Sequence, residues 1–139
     1  MEIYAEYILE ILLKRNISCR YSIDTGFVYS FNNSGYGGNI LGIYSCNNRI
    51  FRNITTFNQF IIQPKRKYIR AYLDELNREI SGGYFLTNPN MEYIVFYSKY
   101  DILNTCEKAS YPSLVTFCLY PYELFTDYYR TFYNMINEL

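Results

Sequence analysis

Residues 65–85 of the chain read KRKYIRAYLDELNREISGGYF, and this stretch decides the fold. One side of it is apolar at helical spacing and the other is charged; the apolar positions are Ile69, Tyr72, Leu73, Leu76 and Ile80. That spacing predicts a helix over residues 65–80. Pro64 suits the start of this helix, where its missing N–H would have no partner in any case. Gly82-Gly83 is expected to end the helix in the left-handed conformation.

The segments on both sides of this helix alternate apolar and polar residues, as half-buried strands do. Upstream, four strands are predicted over residues 17–23, 27–31, 40–46 and 49–57. Asn47-Asn48 between the last two is predicted to form a tight turn with positive φ. Downstream, two more strands are predicted, one beginning at Tyr84 and one over residues 93–97.

Two further helices are predicted at the ends of the chain, over residues 2–15 and from Pro121 onwards. For residues 101–120, the sequence does not distinguish between loop, strand and helix. The resulting order is α-β-β-β-β-α-β-β-α. Helices that flank and interrupt strands with short connections predict an α+β fold. We therefore expect one domain, residues 1–139, with an antiparallel sheet of about five to six strands packed against three helices.

The composition excludes several classes of protein. Half of the 139 residues are hydrophobic, which argues against disorder, and 13 basic residues balance 13 acidic ones. That balance counts against non-specific binding of nucleic acid. The 18 tyrosines and 10 phenylalanines suit binding surfaces, although a genome rich in A and T would also favour them. No apolar run is long enough for a membrane helix, so we expect a cytoplasmic protein.

The sequence offers little for catalysis or metal binding. There is no His, and the four cysteines, at 19, 46, 106 and 118, lack the spacing of a zinc site. We therefore expect no metal, no cofactor and no enzymatic activity. Cys106 lies near Lys108 in a polar stretch, and a neighbouring cation can activate a thiol, but an exposed spare thiol is the simpler interpretation.

Two groups of residues are candidates for binding. The one basic run consists of Lys65, Arg66, Lys67 and Arg70, of which Lys65, Arg66 and Arg70 are the binding candidates; it would suit phosphate or a nucleic-acid strand, or simply a solvated turn. The second group consists of apolar strand residues that would lie on a sheet face away from the helices; it comprises Val28, Tyr44 and Phe96. These three either form an exposed binding surface or complete the core.

The segment from Tyr72 to Phe85, YLDELNREISGGYF, resembles the central segment of the YbjN family, in which a helix ends near a Leu-Asn pair before a Gly and an aromatic open a strand. Residues 93–97, YIVFY, and Asp127-Tyr128-Tyr129 in the closing helix also fit. One position departs from the family pattern, since Ile80 stands where a second Asn is often found. The resemblance implies the fold of type III secretion chaperones and binding of a partner chain, often as a dimer.

Three functions follow as hypotheses. The first is a chaperone-like or regulatory module that buries a segment of another protein, or of a second copy of itself, on a preformed surface. The second is a small bacterial or phage immunity protein or inhibitor that blocks an enzyme or toxin. The third is an RNA-binding protein that uses the basic run at 65–70, an interpretation that the balanced charge disfavours.

Overall fold

A computed structural model of the protein describes residues 3–33, 39–101 and 111–138. The elements follow the predicted order, which is thereby confirmed: α1 (Ile3–Lys14), β1 (Ser18–Tyr21), β2 (Val28–Asn33), β3 (Asn39–Asn47), β4 (Ile50–Phe57), α2 (Arg66–Leu76), β5 (Tyr84–Thr87), β6 (Ile94–Asp101) and α3 (Tyr111–Asn137). Pro64 lies in a short 3₁₀ turn, Gln63–Lys65, that leads into α2, in agreement with its predicted role. Cys106 lies outside the described residues.

The six strands form one antiparallel sheet in the order β1-β2-β3-β4-β6-β5. A two-residue turn, Asn48-Arg49, joins β3 to β4. The turn lies one residue later than the predicted Asn47-Asn48: Asn47 ends β3, and Asn48 and Arg49 have positive φ, at 53° and 66°. After β4 the chain passes through α2, and β6 then returns beside β4 and leaves β5 at the edge.

The core lies between one face of this sheet and helices α1 and α3. Aromatic rings fill its middle. Phe57 stacks on Phe125 with ring centroids 5.9 Å apart, and Phe85 meets the edge of Phe132 at 5.2 Å. Such offset and edge-on pairs add to the free energy gained by burying the rings.

Helix α3 differs from its predicted start. The sequence suggested that Pro121 opens the last helix, but α3 begins at Tyr111 and continues through Pro121, which is buried. Residues 111–120 are helical because Leu114, Phe117 and Cys118 continue the apolar stripe of the second half onto the sheet. The Tyr44 hydroxyl donates to the Cys118 carbonyl oxygen at 2.7 Å, close to where proline interrupts the helix.

Helix α2 ends earlier than predicted. Its last residue is Leu76, and Gly82 and Gly83 lie several residues beyond, so their expected role in terminating the helix is wrong. The helix ends here because the Asn77 side chain turns to the backbone of Phe85: its Nδ2 donates to the Phe85 carbonyl and its Oδ1 accepts from the Phe85 N–H, each at 2.7 Å. Gly83 instead fits a close approach to Phe96 and Tyr97.

Candidate functional site

The apolar candidate residues lie on the face of the sheet that the helices cover. Val28, Tyr44 and Phe96 are buried under the helices, with at most 1% of each side chain exposed. The sequence is compatible with either an exposed face or the core for these residues, and the structure places all three in the core. Alternation along the strands therefore turns the neighbouring residues, such as Tyr29 and Tyr97, to the side without helices.

The face without helices, called the open face below, carries two adjacent rows of side chains that cross all six strands. The first row consists of Arg20, Tyr29, Ile43, Ile54, Tyr97 and Tyr84. The second row consists of Ser18, Phe31, Leu41, Thr56, Val95 and Leu86. Apolar and aromatic residues dominate both rows, so the outer side of the sheet presents a continuous apolar band.

Much of this band is open to solvent. The exposed fractions are 43% for Phe31, 42% for Ile54, 48% for Tyr84 and 38% for Leu86. Single exposed apolar residues are ordinary, but contiguous apolar patches are typical of interaction sites. No motif indicates such a band in the sequence, because both residue sets along each strand are apolar enough to form a core.

A hollow of about 430 Å³ lies at the β1–β3 end of the band. Its floor and walls come mainly from the two rows, with Tyr29, Phe31, Leu41 and Ile43 forming the apolar part and Arg20 lying at one side. A concave apolar site with a single charged group nearby is typical of pockets that receive another molecule's side chains.

Cations border the band on one side. A third row, parallel to the first, holds Ser45, Arg52 and Lys99, and the two charged residues lie directly opposite each other on β4 and β6. Like charges in that relation destabilise a sheet. Within residues 3–33, 39–101 and 111–138, no hydrogen bond or ion pair engages the side chain of Arg52 or Lys99. Among the paired residues of this face, the one carboxylate belongs to Asp101, opposite Ile50 in the following row.

The basic candidate residues on α2 have structural contacts. Lys65 Nζ donates to the carbonyl oxygens of Ile136, at 2.8 Å, and Glu138 at the end of α3, where unpaired carbonyls attract a cation. Arg66 Nε donates to the Ile61 carbonyl at 3.0 Å, and its guanidinium lies over the Phe60 ring. Arg70 remains exposed. The structure therefore does not bring the three together as one free basic surface.

Hydroxyl groups lie within the core rather than in an accessible site. The Ser30 and Tyr122 hydroxyls are hydrogen-bonded to each other. Burial raises the pKa of Tyr122 to about 12 and raises the pKa of Tyr44 well above its ordinary value. Both phenols therefore stay protonated at neutral pH. The Tyr44 hydroxyl donates to the Cys118 carbonyl and the Tyr122 hydroxyl shares a hydrogen bond with Ser30, so both join the sheet to α3.

The remaining chemical candidates are few. Burial raises the pKa of the Cys19 thiol, which makes it less reactive, and the thiol donates to the Leu9 carbonyl at 3.8 Å. No group of His, Cys, Asp and Glu among the described residues is arranged to hold a metal ion. In the same part of the chain, no helix combines the length and apolar character that crossing a membrane requires.

A second groove, also of about 430 Å³, lies between α2 and the outer edge of β5. Its lining is mixed, with Arg70 and Asp74 from the helix and Leu86 and Pro89 from the strand side. The Asn77 side chain occupies the strand edge within it. The hollow on the open face is thus the more apolar of the two.

Comparison of the sequence with models of known protein families and with curated proteins finds no match. The site therefore has to be interpreted from its own geometry.

Proposed function

We propose that this protein is a non-catalytic binding module that covers its open face with an apolar surface of a partner protein. The observation that carries the proposal is the pair of apolar rows across six strands, with Phe31 and Ile54 more than two-fifths exposed. Removing apolar surface from water is favourable by on the order of 25 cal/mol per Å². A partner that covers the exposed band would therefore gain binding free energy from its burial.

The fold supports a preformed surface. Strands β2, β3, β4 and β6 each pair with a neighbour on both sides, so the band lies on a sheet whose backbone hydrogen bonds are already made. Helices α1 and α3 support that sheet from behind. A rigid surface of this kind loses little conformational entropy when it binds.

The chemistry of the chain agrees with a role in binding. The sequence contains no His, the commonest general base, and the hydroxyls of Tyr44 and Tyr122 are buried and protonated. The order α-β-β-β-β-α-β-β-α is the one on which the resemblance to the YbjN family rests. Membership of that family stays a prediction, and the proposal takes from it only the binding of a partner chain.

Photo-crosslinking in the native host tests the proposal. A benzophenone amino acid replaces Phe31 in one variant and Tyr97 in another, and both lie in the apolar rows. The control variant carries the same group in place of Tyr68, which is 63% exposed on α2. We expect a discrete protein adduct from both sheet positions and none from Tyr68. The added substitution Ile54→Lys should suppress the Phe31 adduct without unfolding the protein, which circular dichroism checks.

Two results would contradict the proposal. One is the absence of adducts from the sheet positions, and the other is an equal yield of the same adduct from Tyr68. An adduct with the mass of two copies of the chain would support binding at this face with a second copy as the partner.

A further inference from the structure

We infer that the open face receives an amphipathic helix whose flank is acidic. This inference rests on the proposed function and names the chemistry of the partner segment. It follows from the hydrogen bonding of the sheet, from the dimensions of the apolar rows and from the position of the uncompensated cations.

The hydrogen bonding of the sheet decides the conformation of the partner segment. Where the two apolar rows cross the four inner strands, each strand is paired on both sides, so the rows offer side chains but no free N–H or C=O groups there. An extended segment laid on this face would bring unpaired backbone groups onto an apolar surface, at a cost of about one lost hydrogen bond each. A helix satisfies its own backbone and brings only side chains.

The dimensions of the two rows fit one helix. Adjacent rows are two residues apart along each strand, or roughly 6.7 Å, and a helix with its side chains is about 10–12 Å across. One helix therefore covers both rows but not the third. Six strands at a spacing of about 4.8 Å span roughly 24 Å, the length of a helix of about 16 residues.

The third row then lies along one flank of that helix. Arg52 and Lys99 occupy this row, and Arg20 is the β1 residue at the end of the first row. The paired residues of the open face carry these three cations against a single carboxylate, on Asp101. Acidic side chains on the flank of the partner helix would relieve the repulsion between Arg52 and Lys99. An identical face from a second copy would instead bring three more cations.

Two synthetic helical peptides of about 16 residues test the inference. They share one apolar stripe of leucines and differ only along the flank, which carries Glu in one peptide and Lys in the other. Fluorescence anisotropy measures their affinity for the full chain. We expect the Glu peptide to bind roughly tenfold more tightly at low salt, with the difference lost near 1 M salt.

Charge reversal tests whether the difference in affinity between the two peptides comes from Arg52 and Lys99. The double variant Arg52→Glu with Lys99→Glu should invert the preference. The matched control, Lys67→Glu with Arg70→Glu, changes the net charge equally on the exposed side of α2 and should leave the preference unchanged. Ile54→Lys should weaken both peptides, because it interrupts the apolar band.

The outcomes separate this inference from the proposed function. Equal affinity of the two peptides, or a preference that follows the α2 control, would overturn the acidic flank while the crosslinking result stands. Failure of both peptides to bind would overturn the helical occupant. A crosslinked second copy would overturn the acidic partner, yet it would still support the open face as a binding surface.

Discussion

The side-chain amide of Asn77 forms two hydrogen bonds with the backbone of a single residue, Phe85. The amide nitrogen donates to the Phe85 carbonyl and the amide oxygen accepts from the Phe85 N–H, both at 2.7 Å. An adjacent strand would make the same two bonds. Asn77 thus ends α2 and at the same time occupies the outer edge of β5, where an unpaired strand invites pairing with another chain.

Replacing Asn77 tests this double role. Asn77→Ala should lower the free energy of unfolding by roughly 1–3 kcal/mol, because two partly buried backbone groups lose their partners. Urea denaturation measures the change, and hydrogen exchange at the Phe85 amide should accelerate. Asn90→Ala, in the exposed turn after β5, serves as the control and should leave stability within about 0.5 kcal/mol. Equal effects from the two variants would contradict the role of Asn77.

The assignment of the two sheet faces predicts opposite effects for neighbouring residues on β6. Phe96 is fully buried and Tyr97 lies on the open face. Phe96→Ala should lower the free energy of unfolding by roughly 3–5 kcal/mol. Tyr97→Ala should lower it by no more than about 1 kcal/mol, since it removes mainly a cross-strand contact with Tyr84. Thermal or urea unfolding of both variants decides the matter, and the reverse ranking would refute the assignment.

Gly26 and Gly83 both have positive φ, and comparing alanine variants at the two positions distinguishes backbone strain from steric crowding. Gly26, at φ 73°, has no atom within 4 Å of an added Cβ, whereas an added Cβ at Gly83, at φ 155°, would meet the Tyr97 carbonyl oxygen at 2.6 Å. Gly26→Ala should cost about 1 kcal/mol from the conformational penalty alone. Gly83→Ala should cost clearly more, because the backbone of β6 has to move. Comparable melting temperatures for the two variants would argue against the close approach.

Lys65 should stabilise the end of α3. Lys65→Met keeps most of the aliphatic stem and removes the charge that faces the carbonyls of Ile136 and Glu138. We expect a loss of about 0.5–1.5 kcal/mol in the free energy of unfolding. Lys67→Met, at the exposed second residue of α2, should change it by less than about 0.5 kcal/mol. If the two variants were equally stable, the contact would have no energetic role.

The buried phenols predict a loss of stability in alkali. Burial raises the pKa of Tyr122 from 10.0 to about 12 and outweighs the opposing hydrogen bond from Ser30. The folded state therefore holds this proton more tightly than the unfolded chain does. Its contribution to stability is complete below pH 10 and is lost as the pH rises through about 12.

Stability measured across this pH window tests the linkage. Tyr122→Phe keeps the ring and removes the titrating hydroxyl, so the free energy of unfolding should fall less steeply with pH than in the unaltered protein. Tyr68→Phe, at an exposed position, should leave the slope unchanged. An unaltered slope in the Tyr122 variant would show that this phenol does not couple to folding.

The order of elements could be predicted because it depends on local periodicity. The helical stripe of α2 and the alternation along β4 are both visible in neighbouring residues. The start of α3 could not be predicted by the same means. Proline inside a helix is normally unfavourable, and it is tolerated at position 121 where long-range contacts, including the bond from Tyr44 to Cys118, hold both halves against the sheet.

The candidate site was harder to predict than the fold. Alternation divides each strand into two sets of residues, but it identifies the buried set only when one set is polar. Over residues 94–97 of β6 both sets are apolar or aromatic, with Phe96 in one and Tyr97 in the other. Only the helices decide which set is covered. The repulsive pair of Arg52 and Lys99 was likewise invisible, because it depends on the pairing of β4 with β6.

Pro121 has a consequence for how α3 holds together. Proline has no N–H, so the carbonyl of Phe117 receives no bond from the position four residues later, and the ladder of hydrogen bonds along the helix lacks one rung. The segments on either side therefore depend on the sheet for their alignment more than on each other. On β3, the Tyr44 hydroxyl reaches the segment that precedes the proline, and this bond ties that segment to the sheet.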